Sequence, residues 1–395
     1  ECGAPNEALF DMLAVVGFGA FFGFAPLRLA DRLGRKPVFV ASVAGYTLLC
    51  LATAASRSLG EFAFCQFFAR MFMVTELALA YILLSEETPP ERRGRLNGLM
   101  GAFASIGAIV PALLLPVSVG LGFGWRGLYV AGGSLVVLLP LYALWLREPA
   151  AFRSLPAREP GAEWRELRSL LGSAHRRHAA AAALVWLAIN FWSACAIFSF
   201  ALYAQGERGW SPADIALWVP LGGGLQFLGY ALAGRAMDAV GRKPALLAVL
   251  ALASLASALA YTAHAKPIVV AGYLAMVTLG GMWSIAQTIT AELFPTRLRA
   301  TANGLANNVV GRLGMIAGPW IVGALTVRFG ATGPAVAVLG LANLLAIPLL
   351  FALLPETRGA RIATGSPTPS RDALVLPRGR RSLERKRLEA RRELV

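Results

Sequence analysis

Residues 29–37 read LADRLGRKP and residues 236–244 read AMDAVGRKP, so one charged phrase occurs twice, 207 residues apart. The same spacing, within one residue, separates two further pairs of landmarks: Glu86 and Glu292, and Glu148 and Glu356. Three landmarks at one spacing indicate two similar halves in tandem. Both copies of each landmark are predicted to lie on the same side of a membrane, as in a parallel repeat.

The chain between these landmarks is strongly apolar. Of its 395 residues, 57% are hydrophobic and only 15% are charged, and the mean hydropathy is +0.60. About 20 apolar residues cross a bilayer as a helix. The sequence therefore predicts an all-α integral membrane protein with eleven transmembrane helices: 9–30, 37–56, 60–84, 97–121, 127–146, 179–205, 213–234, 244–264, 267–290, 302–326 and 332–354.

The basic residues are distributed unevenly between the loops. Of the 37 lysines and arginines, 30 fall in one alternating set of loops and 5 in the opposite set. Because cytoplasmic loops collect positive charge, the GRKP loops, the linker between the halves and the C-terminus are expected in the cytoplasm, with the protein in the plasma or inner membrane. The net charge of +15 then reflects topology and does not indicate a nucleic-acid partner.

The repeat also predicts the domain organisation. Helix 179–205 opens the second half, and its counterpart at the same spacing would precede residue 1, so we expect a twelve-helix parent with the first helix missing. This predicts a gap in the first bundle and poor transport by the chain as given. The predicted units are an N-terminal bundle of helices 2–6 (1–150), a cytoplasmic linker with a short amphipathic helix (151–178), a C-terminal bundle of helices 7–12 (179–358) and a disordered basic cytoplasmic tail (359–395).

The repeated phrase resembles a loop of the major facilitator superfamily, between helices 2 and 3 and again between helices 8 and 9. The first copy departs from the family pattern, with Leu27 where glycine is expected. Five further segments are similar to the sugar porter, aromatic acid:proton symporter and organic-ion transporter branch: EETPPERRGR, ELFPTRLRAT, LREP, LPETRG and NGLANNVVGRLGMIAGP. The resemblance covers about residues 8–358 and implies two pseudo-symmetric helix bundles that rock about a central site.

The charges of the repeated loops predict a cytoplasmic gate. Ion pairs between the halves would form in one conformation and break in the other. Alternatively, the same charges only anchor helix ends at the membrane interface. The predicted gate residues are Asp31, Arg32, Arg35, Glu86, Arg93, Asp238, Arg242, Glu292, Arg299 and Glu356.

Polar and aromatic side chains inside the spans predict a substrate site, because burying them in a bilayer is costly. A planar guanidinium suits a carboxylate, so the arginines favour an organic anion. The alternatives are lipid-facing packing for the tryptophans and helix–helix hydrogen bonds for the amides. The candidates are Arg70, Asn190, Trp192, Gln226, Trp283, Gln287, Asn308 and Arg312.

Glu76 is the one carboxylate well inside a predicted span, and it is the candidate for proton coupling, the alternative being a structural hydrogen bond. We expect a secondary transporter for a small organic anion, driven inward by protons and working as a monomer among membrane lipids. The alternatives are a neutral sugar or drug carrier, including efflux, and a membrane sensor that binds without transport. The sequence shows no arrangement of a nucleophile with a base, as an enzyme would need, and no set of metal ligands. It also has no phosphate-binding loop for ATP, so no cofactor is expected.

Overall fold

The computed structural model describes residues 6–156, 162–173 and 175–360, and these residues form helices joined by short connections, without strands. The predicted tail lies outside the described residues beyond Ala360. The first half contains α1 Asn6–Phe22, α2 Phe24–Leu33, α3 Arg35–Ala55, α4 Leu59–Glu87, α5 Arg93–Gly120 and α6 Arg126–Trp145. Between the halves lie the short helices α7 Ala150–Arg153 and α8 Ala162–Leu171. The second half contains α9 Arg176–Gly206, α10 Pro212–Val240, α11 Arg242–Thr262, α12 Lys266–Leu293, α13 Thr296–Phe329 and α14 Thr332–Leu353.

Ten helices of the described residues are long and apolar enough to cross a membrane, namely α3 to α6 and α9 to α14. The other predicted span, 9–30, is divided into α1 and α2 at Gly23, so the predicted count of eleven is not confirmed. A side chain at Gly23 would come within 2.4 Å of Val74 and 2.9 Å of Asn308. A larger residue at this position would therefore displace Val74 and Asn308 where this segment passes between the two halves.

Local sequence signals set the helix ends. Ser58 caps α4 by accepting a hydrogen bond from the Glu61 amide at 3.1 Å. Ser211 forms a reciprocal capping box with Asp214 at the start of α10. Such caps satisfy amide groups that have no partner within the helix itself.

The turns of the repeated phrase have the same backbone geometry in both halves. Gly34 has φ 111° and ψ 159°, and Gly241 has φ 109° and ψ 163°. Side chains rarely adopt such positive φ values, and a Cβ at either glycine would also lie 2.6 Å from a carboxylate, that of Glu148 or Glu356. Since both turns lie at one face of the molecule, this face is called the GRKP face below.

Two equivalent pairs of helices in the interface between the halves differ in how closely they pack. Helix α5 packs against α10, where a Cβ on Gly98 would lie 2.5 Å from the Cα of Gly234. At the equivalent contact between α2 and α13, the side chain of Leu27 lies against Gly304 and is fully buried. In the pair α5 and α10, glycine allows the two backbones to touch. In the pair α2 and α13, Leu27 departs from the family pattern, and its side chain lies between the two backbones.

Helix α9 packs along α13 in the second half, and no first-half helix among the described residues takes the equivalent place against α5. Leu113 on the outward side of α5 is 67% exposed.

The predicted linker helix is present as α8, and it packs on the protein. Leu170 is fully buried in the hydrophobic core of the second half, and Glu166 pairs with Arg297 at 3.5 Å. The helix is therefore fixed to the second half at the GRKP face.

Candidate functional site

Buried charges from both halves form a layer at the GRKP face, called the charged layer below. Its members are Asp31, Arg35, Glu86, Arg93, Asp238, Arg242, Glu292 and Arg299. The side chains of Glu86 and Glu292 are fully buried. Because a buried charge is stable only with partners, the arrangement of this layer is tightly constrained.

Arg35 is the centre of the first copy of the layer. Its guanidinium pairs with Asp31 at 3.0 Å and with Glu86 at 3.3 Å, and it donates to the Ala30 carbonyl at 3.0 Å. It also donates across the interface to the carbonyl of Thr296 in the second half.

Arg242 repeats each of these contacts in the second copy. It pairs with Asp238 at 3.2 Å and with Glu292 at 3.2 Å, and it donates to the Met237 carbonyl at 3.0 Å. Its contact with the other half is a hydrogen bond to the Pro90 carbonyl at 3.0 Å. The two halves are thus related side chain by side chain.

Two ion pairs connect the halves directly. Arg93 of the first half binds Glu292 of the second at 2.8 Å, and Arg299 of the second half binds Glu86 of the first. Since Glu86 and Glu292 also bind Arg35 and Arg242, each glutamate joins the arginines of both halves. The layer therefore joins the two halves at the GRKP face in this structure.

The aspartates of the layer also cross the interface. Asp31 accepts hydrogen bonds from the amides of Ala300 at 3.2 Å and Thr301 at 2.7 Å, near the start of α13. Asp238 accepts from the amides of Gly94 at 3.0 Å and Arg95 at 2.7 Å at the start of α5. Each carboxylate thus lies against the positive end of a helix of the other half.

Two of the predicted gate residues lie outside this layer. Glu356 accepts hydrogen bonds from the amides of Arg242 at 2.9 Å and Lys243 at 3.1 Å, so it fixes the turn of its own half. Arg32 is exposed at the rim.

The arginines predicted to bind substrate come together from opposite halves. Arg70 on α4 lies within electrostatic range of Arg312 on α13. The Nε atoms of both are buried without a hydrogen-bond partner, and neither guanidinium has an ion pair among the described residues. Two like charges without a counterion favour an anion between them.

Asn308 lies at the same interface. It is fully buried, and neither atom of its side-chain amide has a hydrogen-bond partner among the described residues. It belongs to a π-helical segment of α13, Gly304–Gly311, which ends directly before Arg312. Such segments occur frequently at functional sites, because the wider turn redirects side chains.

Side chains of α9, α12 and α13 form one wall beside Arg312. Trp283 meets Trp186 edge to face at 5.7 Å between ring centroids, and Asn190 donates to Asn307 at 3.4 Å. Gln287 accepts a hydrogen bond from Asn303 at 2.7 Å. The predicted residues Asn190, Trp283 and Gln287 therefore lie on helices that meet around the π-helical segment.

The structure places two predicted substrate residues elsewhere. Trp192 is fully buried in the core of the second half, where its indole donates to Ser257 on α11 at 3.3 Å. Gln226 packs against Gly280 between α10 and α12. Both lie at mid-span, and Trp192 packs into the core of its own half.

Glu76 points into the first half and is not paired with Arg70. It has no hydrogen bond or ion pair among the described residues, and it lies within electrostatic range of Tyr46 and Cys50 on α3. Six positions along a helix turn the side chain by about 600°, so Arg70 and Glu76 point in different directions.

The model of the Major Facilitator Superfamily matches residues 8–319 and again residues 192–388. The chain belongs to the Major Facilitator Superfamily. It is accordingly a multi-pass membrane transport protein and not an enzyme. The second match begins in the second half, as two related halves require.

Named relatives within the superfamily are carriers of small molecules. The chain is 30% identical over 347 residues to a putative niacin/nicotinamide transporter of Bacillus subtilis, covering 86% of this chain and 84% of that protein. It is 28% identical over 332 residues to the 3-(3-hydroxy-phenyl)propionate transporter of Escherichia coli, covering 80% and 78%.

Solved superfamily structures have the same fold. The proton:xylose symporter XylE aligns with a TM-score of 0.70 at 18% identity, over 90% of this chain and 88% of that one. The human organic anion transporter MFSD10 aligns with a TM-score of 0.70 at 18% identity, over 89% and 84%.

Sequence reasoning missed a second group of contacts between the halves. Asn97 donates to Thr288 at 2.9 Å, and Tyr81 and Ser284 form a hydrogen bond of 2.9 Å. The repeat offered a signal, because Asn97 and Asn303 are separated by the spacing of the landmarks and both are fully buried.

Proposed function

We propose that this chain is a secondary transporter that carries a small organic anion, an aromatic or related carboxylic acid, into the cell with protons. It works by alternating access, as a monomer in the cell membrane, with the GRKP face, the linker and the C-terminus in the cytoplasm. The observation that carries the proposal is the pair of unpaired arginines, Arg70 and Arg312, contributed by opposite halves.

The chemistry of the pair supports an anion. Each guanidinium offers parallel N–H donors that match the two oxygens of a carboxylate. A carboxylate between them would supply the missing counterion and link the halves, so binding would favour a conformation in which Arg70 and Arg312 are close. The edge-to-face pair Trp186 and Trp283 and the amide of Asn308 offer an aromatic surface and hydrogen bonds for the remainder of the substrate.

The names of the relatives agree with this substrate class. Niacin and 3-(3-hydroxy-phenyl)propionate each join an aromatic ring to a carboxyl group, and a 4-hydroxybenzoate transporter of Pseudomonas aeruginosa is 31% identical over 168 residues, 41% of this chain. The sugar symporter and the organic anion transporter share the fold at lower identity.

Glu76 is the proposed proton carrier. Its carboxyl is without an ion pair or hydrogen bond among the described residues, inside a helix that also carries Arg70. Such a group can exchange a proton as its hydration changes between conformations. Proton release would then be linked to the movement of α4.

The charged layer supplies the proposed gate on the cytoplasmic side. In this structure it is closed, so the site at the arginine pair would load from the opposite side. Opening requires that the pairs Arg93–Glu292 and Arg299–Glu86 separate together.

A matched pair of substrates tests the proposal. Nicotinate and nicotinamide differ chiefly in the charge of one group, and loss of a charge-assisted hydrogen-bond pair costs about tenfold or more in affinity. The full-length protein, with any segment that precedes residue 1, should take up labelled nicotinate or a hydroxybenzoate in proteoliposomes, and excess nicotinamide should compete at least about tenfold less well. Equal competition by the amide, or preferential uptake of sugars, would exclude an anion site. Binding of the acid without flux would favour a sensor.

A further inference from the structure

A cavity outside the candidate substrate site lies between α8, α9 and α13 at the GRKP face. It has a volume of about 280 Å³. Its lining is apolar except for Arg176, and it includes Leu171, Ala179, Ala180, Ala183 and Val310. A water molecule occupies about 30 Å³, and protein interiors rarely keep empty spaces of many times that size.

The depth of the cavity follows from the helices that line it. Ala179 and Ala183 lie three and seven residues beyond Arg176 on α9, or about 4 to 11 Å along the axis at 1.5 Å per residue. Arg176 itself is exposed at the start of the spanning helix. The apolar lining therefore lies at the depth of the hydrocarbon, and the guanidinium lies at the depth of the headgroups.

The edges of the cavity are apolar as well. Leu171 is 71% exposed, and Ala180 is exposed beside it. Contact of these side chains with water would be unfavourable in free energy, whereas contact with lipid acyl chains would not. The opening is therefore suited to the bilayer.

Arg176 has no counterion among the residues that the structure describes. No ion pair or hydrogen bond of its side chain occurs among the described residues, while Glu166 of α8 is already paired with Arg297. The neighbouring Arg177 donates to the carbonyls of Ala352 and Leu353 at the end of α14. The local charge is thus positive, and Arg176 is available for an external anion.

We propose that this cavity binds one anionic phospholipid, with an acyl chain between α9 and α13 and the phosphate on Arg176. An apolar cavity at hydrocarbon depth with a free guanidinium at its mouth matches the two parts of such a molecule. The lipid would fill the space between the linker helix and the second half. It would not contact the arginine pair, because Arg312 lies two positions beyond the last lining residue, Val310, toward the opposite side of its helix.

Native mass spectrometry of the full chain tests the headgroup contact, with equimolar phosphatidylglycerol and phosphatidylcholine. The wild type should retain one phosphatidylglycerol preferentially. Arg176→Gln should lower that preference about fivefold, the effect of one arginine near an anionic surface. The control Arg328→Gln removes another exposed arginine, at the other end of α13, and should leave the preference unchanged. An unchanged preference in Arg176→Gln, or none in the wild type, would overturn the proposal.

A second variant tests the acyl-chain contact. Ala183→Trp should fill the cavity and remove one retained lipid of either headgroup, whereas Ala324→Trp, on an exposed position of α13, should not. Helicity and the thermal midpoint establish that each variant is folded. Where Ala183→Trp does not fold, Val310→Phe fills the same cavity. Undiminished retention in a folded, filled variant would show that the lipid binds elsewhere. These results are independent of transport.

Discussion

At the scale of single residues, the sequence identified the ionisable groups inside the spans but not their directions. Arg70 and Arg312 are recognisable because a charge in an apolar run is rare, and they lie within electrostatic range of each other. Trp192 satisfied the same criterion of depth but binds Ser257 within its own half, because depth alone does not fix which side of a helix faces the interface. The π-helical segment around Asn308 has no sequence signal that could have been used.

Arg312→Lys should impair transport sharply although the charge is kept, because lysine lacks the planar pair of donors. We expect the KM for a carboxylate substrate to rise about tenfold or more, the cost of a lost charge-assisted hydrogen bond. Uptake in proteoliposomes measures the effect. Arg328→Lys, at an exposed position of the same helix, is the matched control and should be unchanged. Normal uptake by Arg312→Ala would remove Arg312 from the site.

Glu76→Gln should abolish accumulation against a gradient and preserve substrate exchange, because the amide keeps the shape of the side chain but cannot carry a proton. Uptake under an imposed pH gradient and counterflow without a gradient separate the two activities. Glu61→Gln, on an exposed position of the same helix, is the control. Accumulation at the wild-type level would refute the role in coupling, and loss of exchange as well would indicate a structural role.

At the scale of helices, the spans were predictable from hydropathy, and the contacts between them depend on small residues. The spacing of the landmarks predicted equivalent turns at Gly34 and Gly241, and the structure gives them nearly equal backbone angles. The division at Gly23 was not predictable, since it reflects the fit of α1 and α2 against the other half. A uniformly apolar stretch of sequence does not indicate at which position two helices must pack closely against each other.

Gly98→Ala should destabilise the protein, because the added methyl group would lie 2.5 Å from the backbone of Gly234 and α5 would have to move away from α10. Overpacking of this kind costs about 1–3 kcal/mol, so the thermal midpoint in detergent should fall by several degrees. Gly107→Ala on the same helix meets no atom within 4 Å and should be neutral or slightly stabilising. Equal midpoints for the two variants would show that the backbones need not approach so closely.

At the scale of the whole molecule, the residues of the charged layer could be predicted from the sequence, but the partner that each of them binds could not. The repeat identified the charges as a set, and sequence reasoning placed Glu356 among the residues that link the halves. The structure shows that Glu356 binds within its own half, whereas Asp31 crosses to α13. Which half a carboxylate binds depends on how the bundles are docked, and that information is absent from the spacing along the chain.

Breaking the layer should open the GRKP face. Arg93→Gln leaves Glu292 without its partner from the first half and should increase the population with a wider separation of the halves. Spin labels at Glu91 and Val240, both exposed at this face, report the separation on a background without native cysteines. Asp214→Asn breaks an ion pair with Lys266 inside the second half and should leave the distances unchanged. An unaltered distance distribution in Arg93→Gln would show that the pair does not hold the halves together.

The reciprocal contacts of the charged layer also bear on the origin of the chain. Arg93 binds Glu292 as Arg299 binds Glu86. Likewise, Asp31 accepts a hydrogen bond from an amide near the start of α13, and Asp238 accepts one from an amide at the start of α5. In a symmetric dimer of one ancestral half, every one of these contacts would already form twice across the dyad. The layer would therefore have needed no new residue if duplication and fusion joined two such genes. Later divergence, as at Leu27 and Gly234, could then act on one copy while the other kept its geometry.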